Sequence, residues 1–75
     1  MSKLSPCKSR ELIKFLNSKG VFEIRQKGSH KFFCSTDGRT TVVPVRPSKD
    51  INPGLIRKIL SDVRSNPEEF INFKK

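Results

Sequence analysis

The first part of the chain places its apolar residues at the spacing of a helix face. These residues are Leu12, Ile13, Phe15 and Leu16. Gly20 follows at the point where a glycine in the left-handed conformation would end the helix. The pattern therefore predicts a helix within SPCKSRELIKFLNSKG, residues 5–20. This helix begins either at Ser5, which precedes a proline, or a turn later at Lys8.

After this helix the chain changes to short runs of β-branched and aromatic residues, which are typical of strands. The runs are VFEIRQ, HKFFCS and TTVVPV, at residues 21–26, 30–35 and 40–45. The segments KGS and TDGR between them are tight-turn sequences, and Asp-Gly is a common hairpin pair. Pro44 indicates that the third strand lies at an edge of the sheet. We therefore expect a three-stranded antiparallel meander.

Two more helices are predicted in the second half. Asn52 and Pro53 form a helix start, an oxygen-bearing cap followed by proline at the first helical position. The apolar face of this helix consists of Leu55, Ile56, Ile59, Leu60 and Val63. Asn66 and Pro67 repeat the start signal for a short last helix. The result is an α+β fold in the order α-β-β-β-α plus a short C-terminal helix, with helices on one face of the sheet and the other face or its rim open to a ligand.

The small size and positive charge of the chain favour a polyanion as its partner. With 75 residues it makes a single domain, residues 1–75, and a deep pocket would remove much of its only core. Sixteen basic residues against seven acidic ones give a net charge of +9. Residues 1–49 hold eleven of the basic and three of the acidic residues, a net +8. A nucleic acid is the favoured partner, followed by an anionic membrane surface.

Several other function classes have no signal in the sequence. No apolar run is long enough for a signal peptide or a membrane span, so we expect a cytoplasmic protein without membrane association. Cys7 and Cys34 are too few and too far apart to suggest a zinc site, and we expect both thiols to be reduced. We expect neither a metal nor a cofactor.

The segment RQKGSHKFF holds His30, the single histidine of the chain. Gly28 can adopt a positive φ angle, and a turn there can point successive backbone N–H groups at an anion. The basic residues around it are Arg25, Lys27 and Lys31. A phosphate bound there would lie within reach of His30, and histidine side chains take up and release a proton near neutral pH.

RNA suits this arrangement better than DNA. Its ribose carries a 2′-hydroxyl beside the phosphate, so a base that removes this proton creates an internal nucleophile without a metal ion. Lysine or arginine would stabilise the negative charge that builds on the phosphate oxygens.

Plainer interpretations stay open for the same residues. A single histidine in a basic hairpin is more often a solvated strand residue than a catalyst, and the basic residues could be ordinary surface. Phe32 and Phe33 point to opposite faces of a regular strand, so at least one belongs to the core. The other could stack on a base, although a core or interface role is favoured. Ser29 either binds phosphate or shapes its turn, and we favour the turn.

Taken together, several segments resemble the HicA toxin family over nearly the whole chain. They are RELIKFLNSKG, RQKGSHKFF, DGRTTVVPV, INPGLIRKIL and PEEF, and their order and distances together are specific. The resemblance implies a double-stranded-RNA-binding-domain-like fold, an mRNA interferase activity and a HicB antitoxin as partner. It also implies that His30 is the catalytic residue, with Gly28 and Ser29 as its matched context. Many members have a second histidine where this chain has Arg46, so a role for that histidine is in doubt here.

A single histidine limits the mechanism, because no second imidazole of the same monomer can act as the acid. Lys27, Lys31 or water must then protonate the leaving oxygen, since Arg46 could bind phosphate but is a poor proton donor. The hypothesis is a metal-independent ribonuclease that leaves a 2′,3′-cyclic phosphate and a 5′-hydroxyl. The predicted substrate-binding residues are Arg25, Lys27, Gly28, Ser29, Lys31 and Arg46.

Two further function classes fit the same sequence. One is a non-catalytic RNA-binding module of the same fold, in which the basic face alone binds the RNA. The other is an interaction domain that meets an acidic protein surface. Turnover of RNA separates the first of these from the nuclease.

Overall fold

The fold is α+β, with helices before and after a three-stranded sheet. The computed structural model of the chain describes residues 4–46 and 48–74. Its elements are α1 Ser9–Ser18, β1 Val21–Lys27, β2 His30–Ser35, β3 Thr40–Pro44, α2 Pro53–Asp62 and α3 Pro67–Lys74. The predicted order, α-β-β-β-α plus a short C-terminal helix, is confirmed.

The strands form an antiparallel sheet in the order β1-β2-β3, so β1 and β3 are its edges. The prediction from Pro44 that the third strand is an edge strand is confirmed, since a proline is tolerated where one side of the strand has no partner. Two strand ends differ from the predicted ones by a residue: β1 extends to Lys27, and β3 ends at Pro44. A bulge between Glu23 and Arg25, which the sequence pattern does not indicate, shifts the register of β1 against β2.

The sheet has an inner face, which packs against the helices, and an outer face. Side chains alternate between the two faces along each strand. The strand pairing places Val21, Phe33, Thr41 and Val43 on the inner face, and all four are buried. The outer face consists of Phe22, Arg25, Lys27, His30, Phe32, Cys34, Thr40, Val42 and Pro44. The histidine and two of the predicted basic residues therefore lie on the side away from the helices.

Local capping interactions fix the ends of α1. The helix begins after Lys8, the second of the two predicted starts, and the Lys8 backbone N–H donates to Glu11 Oε1 at 3.0 Å. Gly20 has a φ of 80° just beyond the helix, as its predicted capping role requires.

Before α1, Cys7 and Ile51 exchange two backbone hydrogen bonds of 3.2 and 2.8 Å. These bonds hold the segment before α1 against the segment before α2.

The two predicted asparagine caps are confirmed. Asn52 Oδ1 accepts a hydrogen bond from the Leu55 backbone N–H at 2.9 Å at the start of α2. Asn66 Oδ1 accepts from the Glu69 backbone N–H at 2.9 Å at the start of α3. Each cap satisfies a backbone donor that has no partner inside the helix.

The core lies between the inner face and the helices. Its buried residues are Cys7, Leu12, Phe15, Leu16, Val21, Phe33, Val43, Ile51, Ile56, Ile59, Leu60 and Phe70. α3 joins it through Phe70, whose ring meets Phe15 edge-on with 5.3 Å between centroids. At the surface, Lys19 Nζ and Glu69 Oε2 form an ion pair of 2.8 Å between α1 and α3. No helix in the described residues is long and apolar enough to cross a membrane.

Candidate functional site

The loop between β1 and β2 consists of Gly28 and Ser29, directly before His30. Of the two loop residues only Gly28 has a positive φ, 60°, which is the signature of a type II′ turn. Gln26 Nε2 donates to Gly28 O at 2.9 Å, and the Val45 N–H donates to Ser29 O at 2.6 Å. The second bond ties the chain after β3 to the loop. The turn is therefore held on both sides, as expected for a residue pair that shapes it.

His30 is the first residue of β2 and stands between Lys27 of β1 and Pro44 of β3 in the sheet register. Its side chain is exposed. It lines two adjoining depressions at the β3 edge, which also share Pro44 and Leu55. The ring is therefore open to a surface that a polynucleotide could touch.

The first depression has a volume of about 290 Å³. Its lining residues are His30, Pro44, Arg46, Lys49, Asp50, Ile51, Asn52 and Leu55. Two cations, Arg46 and Lys49, thus share the space with the histidine. The one acid in the lining is Asp50, and its Oδ1 already forms an ion pair with Lys8 Nζ at 2.9 Å. The depression is suited to an anion.

The second depression, of about 470 Å³, lies between β3 and α2. Its lining residues are His30, Thr40, Thr41, Val42, Pro44, Leu55, Lys58, Ile59 and Asp62. Asp62 Oδ2 accepts a hydrogen bond from Thr41 Oγ1 at 2.9 Å and also contacts Lys58 Nζ at 3.3 Å. Thr41 is 4% exposed, so this bond satisfies a buried hydroxyl and joins α2 to β3.

Basic side chains continue from the first depression towards α1. A further depression is lined by Lys8, Ser9, Arg10 and Arg46. Because Arg46 belongs to both depressions, it connects the surface around His30 with the start of α1. A phosphate backbone that lies over Arg46 would meet positive charge on either side.

Some of the predicted site residues are brought together at this end of the sheet. Lys27 is the cross-strand neighbour of His30 on the outer face, where side chains of paired residues lie about 5 Å apart at their Cβ atoms. Gly28 and Ser29 form the turn beside it. Arg46 shares the first depression with His30.

The other two predicted residues have different surroundings. Lys31 lies on the inner face, opposite to His30, and its Nζ forms an ion pair with Glu23 Oε1 at 3.1 Å. Arg25 lies on the outer face, and its guanidinium carbon is 4.5 Å from the centroid of the Phe32 ring. Neither residue lines the two depressions that contain His30.

The sequence did not indicate two cations of the site, Lys49 and Lys58. Lys49 lies in the loop before α2, where one basic residue has no distinguishing pattern. Lys58 falls on the polar face of α2, which would be solvated in an isolated helix. Its place in a depression that His30 also lines depends on how α2 packs along β3, and no local signal carries that information.

A metal centre has no support within residues 4–46 and 48–74. No group of three or more histidine, cysteine, aspartate or glutamate side chains is placed there so that it could hold a metal ion. Both cysteines are free. The chemistry that the site offers comes from an imidazole surrounded by ammonium and guanidinium groups.

A protein-family model matches most of the chain. It is described as "HicA toxin of bacterial toxin-antitoxin", and the match covers residues 9–64. The matched part runs from the start of α1 to just beyond α2 and includes His30 with the linings of both of its depressions. A search of curated proteins found no match.

Proposed function

The chain belongs to the HicA toxin family of bacterial toxin–antitoxin systems, and on that premise we propose that it is a metal-independent endoribonuclease that cuts mRNA with His30 as its catalytic residue. The position of His30 carries this proposal. The side chain is exposed at the β3 edge, in depressions that Arg46, Lys49 and Lys58 help to line. A polynucleotide can reach the ring there, and the cations can hold a phosphate next to it.

In the proposed reaction His30 acts on the ribose next to a bound phosphate. An unprotonated ring nitrogen takes the proton of the 2′-hydroxyl, the 2′-oxygen attacks the phosphorus, and the bond from phosphorus to the 5′-oxygen breaks. The 5′-oxygen leaves with a proton from a lysine ammonium group or from water. The products carry a 2′,3′-cyclic phosphate and a 5′-hydroxyl. A metal ion is not required, because the nucleophile belongs to the substrate itself.

The surrounding cations divide the work of holding the phosphates. Arg46 and Lys49 bind the backbone in the first depression, where a guanidinium can contact two phosphate oxygens at once. Lys27 adds positive charge beside the ring, and Gly28 and Ser29 set the shape of the turn. The substrate-binding roles of Arg25 and Lys31 stay predictions. Lys31 in particular would act over a distance, because its charge lies on the inner face.

Membership of the family implies a HicB-type antitoxin as partner. The excess of positive charge in residues 1–49 suits a partner with an acidic surface. Such a partner would block RNA in two ways if it covered the β3 edge. It would exclude the substrate from His30, and it would neutralise the charge that attracts the phosphates.

The proposal is tested by incubating the purified protein with end-labelled single-stranded RNA in the presence of EDTA. We expect the wild-type protein to cut the RNA and to leave cyclic phosphate ends. His30→Ala and His30→Gln should lower the cleavage rate about a hundredfold or more, because both remove the group that transfers the proton. Binding of RNA should change by less than about threefold, because the phosphate-binding cations stay in place.

A matched control separates the ring from the general effect of charge. Lys14→Ala removes one positive charge from an exposed position on α1, outside the two depressions that contain His30. This variant should cut at a rate close to that of the wild type. Full activity of His30→Ala would refute the catalytic assignment.

The non-catalytic RNA-binding module gives a different result in the same assay. It would bind single-stranded RNA, with an affinity that falls as salt rises, and it would release no product with or without a divalent cation. Cleavage that appears only when a metal ion is added would reject the metal-independent mechanism and leave the family assignment untouched.

A further inference from the structure

Strands β1 and β3 carry exposed apolar side chains that do not belong to the core. Phe22 is 52% exposed, Ile24 61% and Val42 36%. Phe22 of β1 and Val42 of β3 have the partly exposed Phe32 of β2 between them, and a continuous apolar surface on a small protein marks an interaction site. Phe22 and Val42 lie on the same face of the sheet as His30.

The strand pairing arranges the outer face in rows. The rows are Phe22, Cys34 and Thr40; then Arg25, Phe32 and Val42; then Lys27, His30 and Pro44. Consecutive rows lie two residues apart along β2, a distance of about 7 Å. Phe32 therefore lies one row from the histidine, and Phe22 lies two rows from it, about 13 Å along the strand direction. The separation of Phe22 from the histidine is comparable to the length of two nucleotides in an extended single strand.

The outer face of the sheet carries basic side chains and no acidic one. The three strands contain one acidic residue, Glu23, which lies on the inner face and pairs with Lys31 at 3.1 Å. On the outer face Arg25 and Lys27 accompany His30. The face thus combines apolar rings with positive charge and has no carboxylate to repel a phosphate.

Two flat surfaces on this face suit a nucleic-acid base. The Phe22 ring is about half exposed. The Arg25 guanidinium carbon is 4.5 Å from the centroid of the Phe32 ring, and the Arg25 side chain is exposed. Unpaired RNA bases stack on both aromatic rings and guanidinium planes.

We propose that the outer face is a stacking platform for the bases of single-stranded RNA, with Phe22 as the ring on which a base stacks. The proposal rests on the nuclease function and extends it, because it places a nucleotide about two positions from the cleaved bond. A second copy of the chain fits this face poorly, since basic residues would meet basic residues. An added protein strand would meet the bulge at Glu23 and Arg25, which interrupts pairing along β1.

The test measures RNA binding in the full-length chain that carries His30→Ala, so that cleavage does not interfere. The probes are a fluorescein-labelled single-stranded RNA of mixed sequence and the same backbone with abasic riboses. Phe22→Ala and Phe22→Leu should each weaken binding of the first probe about tenfold, within the range measured for stacking of one base on an aromatic ring. Phe22→Tyr keeps the ring and should bind within about twofold of the parent.

The matched control is Ile24→Ala, which shortens a more exposed apolar side chain of the same strand without removing a ring. It should bind the RNA within about twofold of the parent. With the abasic probe all the variants should bind alike. Thermal unfolding of each variant checks that the sheet is intact.

Several results would overturn the platform. An unchanged RNA affinity of Phe22→Ala would show that no base stacks on Phe22. Full affinity of Phe22→Leu, or an equal loss in Ile24→Ala, would show that the RNA makes general apolar contact with the strand and does not stack on the Phe22 ring. The outcome is independent of catalysis: a protein that fails to cut RNA but shows the Phe22 pattern keeps the platform and loses the nuclease. A protein that cuts RNA through His30 but binds RNA equally well without the Phe22 ring keeps the nuclease function and loses the platform.

Discussion

Neighbouring residues of β2 have different surroundings because a strand alternates its side chains between two faces. His30 lies on the outer face beside Lys27, whereas Lys31 lies on the inner face and pairs with Glu23. A basic run in the sequence therefore does not form a single basic patch. The side of the sheet on which each charge lies decides whether it can meet a phosphate near the histidine.

The two cysteines differ in how deeply they are buried, and their reactivity tests the packing of the core. Burial raises the pKa of the Cys7 thiol to about 11, so at pH 8 only roughly one part in a thousand is thiolate. Cys34 lies half-buried on the outer face. We expect a thiol reagent such as DTNB to modify Cys34 in the folded protein at least about a hundredfold faster than Cys7. Rates are read from the released chromophore.

The variant Cys34→Ser isolates the slow reaction. Its single thiol should become fully reactive only in denaturant, because unfolding restores contact with water. Rapid labelling of Cys7 in the folded variant would show that the segment before α1 does not pack as described.

At the residue scale the sequence indicates which groups could do chemistry but not which of them meet. His30 and Arg46 could be singled out from residue type and from the turn that precedes the histidine. Lys49 and Lys58 could not, because they reach the same surface from a loop and from α2. The contribution of distant segments to a site depends on tertiary packing.

At the scale of the elements, the cap of α2 offers a test of how local signals fix the site. Asn52→Ala removes the 2.9 Å hydrogen bond from the Leu55 N–H to Asn52 Oδ1. Loss of such a cap costs about 1 kcal/mol of unfolding free energy. For a domain of this size that loss lowers the melting temperature by about 4–8 °C, which calorimetry measures.

Asn52→Ser is the control, because serine also caps helices and carries no charge. It should keep most of the melting temperature that alanine loses. Equal melting temperatures for the alanine variant and the wild type would mean that the cap does not stabilise the start of α2.

The elements themselves were largely predictable, and the reason is local. Asn52, Asn66 and Gly20 act within one turn of their own helix, so their effect can be inferred from the sequence. The bulge in β1 was not predictable, because it depends on how Glu23 and Arg25 face a neighbouring strand. Strand register is a property of the pair and not of one segment.

At the scale of the whole molecule, the cations of the site come from both halves of the chain. Most of the net charge precedes residue 50, yet Lys58 of α2 lines a depression with His30. The α+β architecture follows from the order of the elements. The position of α2 along the β3 edge does not, and this position completes the surface that the proposed substrate would occupy.

The central claim is that the chain cleaves RNA through the ribose 2′-hydroxyl, which His30 deprotonates. The most direct measurement uses an RNA in which deoxyribose replaces the one ribose on the 5′ side of a bond that the wild-type protein cuts, with EDTA present. We predict that this bond stays intact while the RNA still binds and is cut at its other sites. Cleavage of the modified bond at the rate of the all-ribose RNA would contradict it.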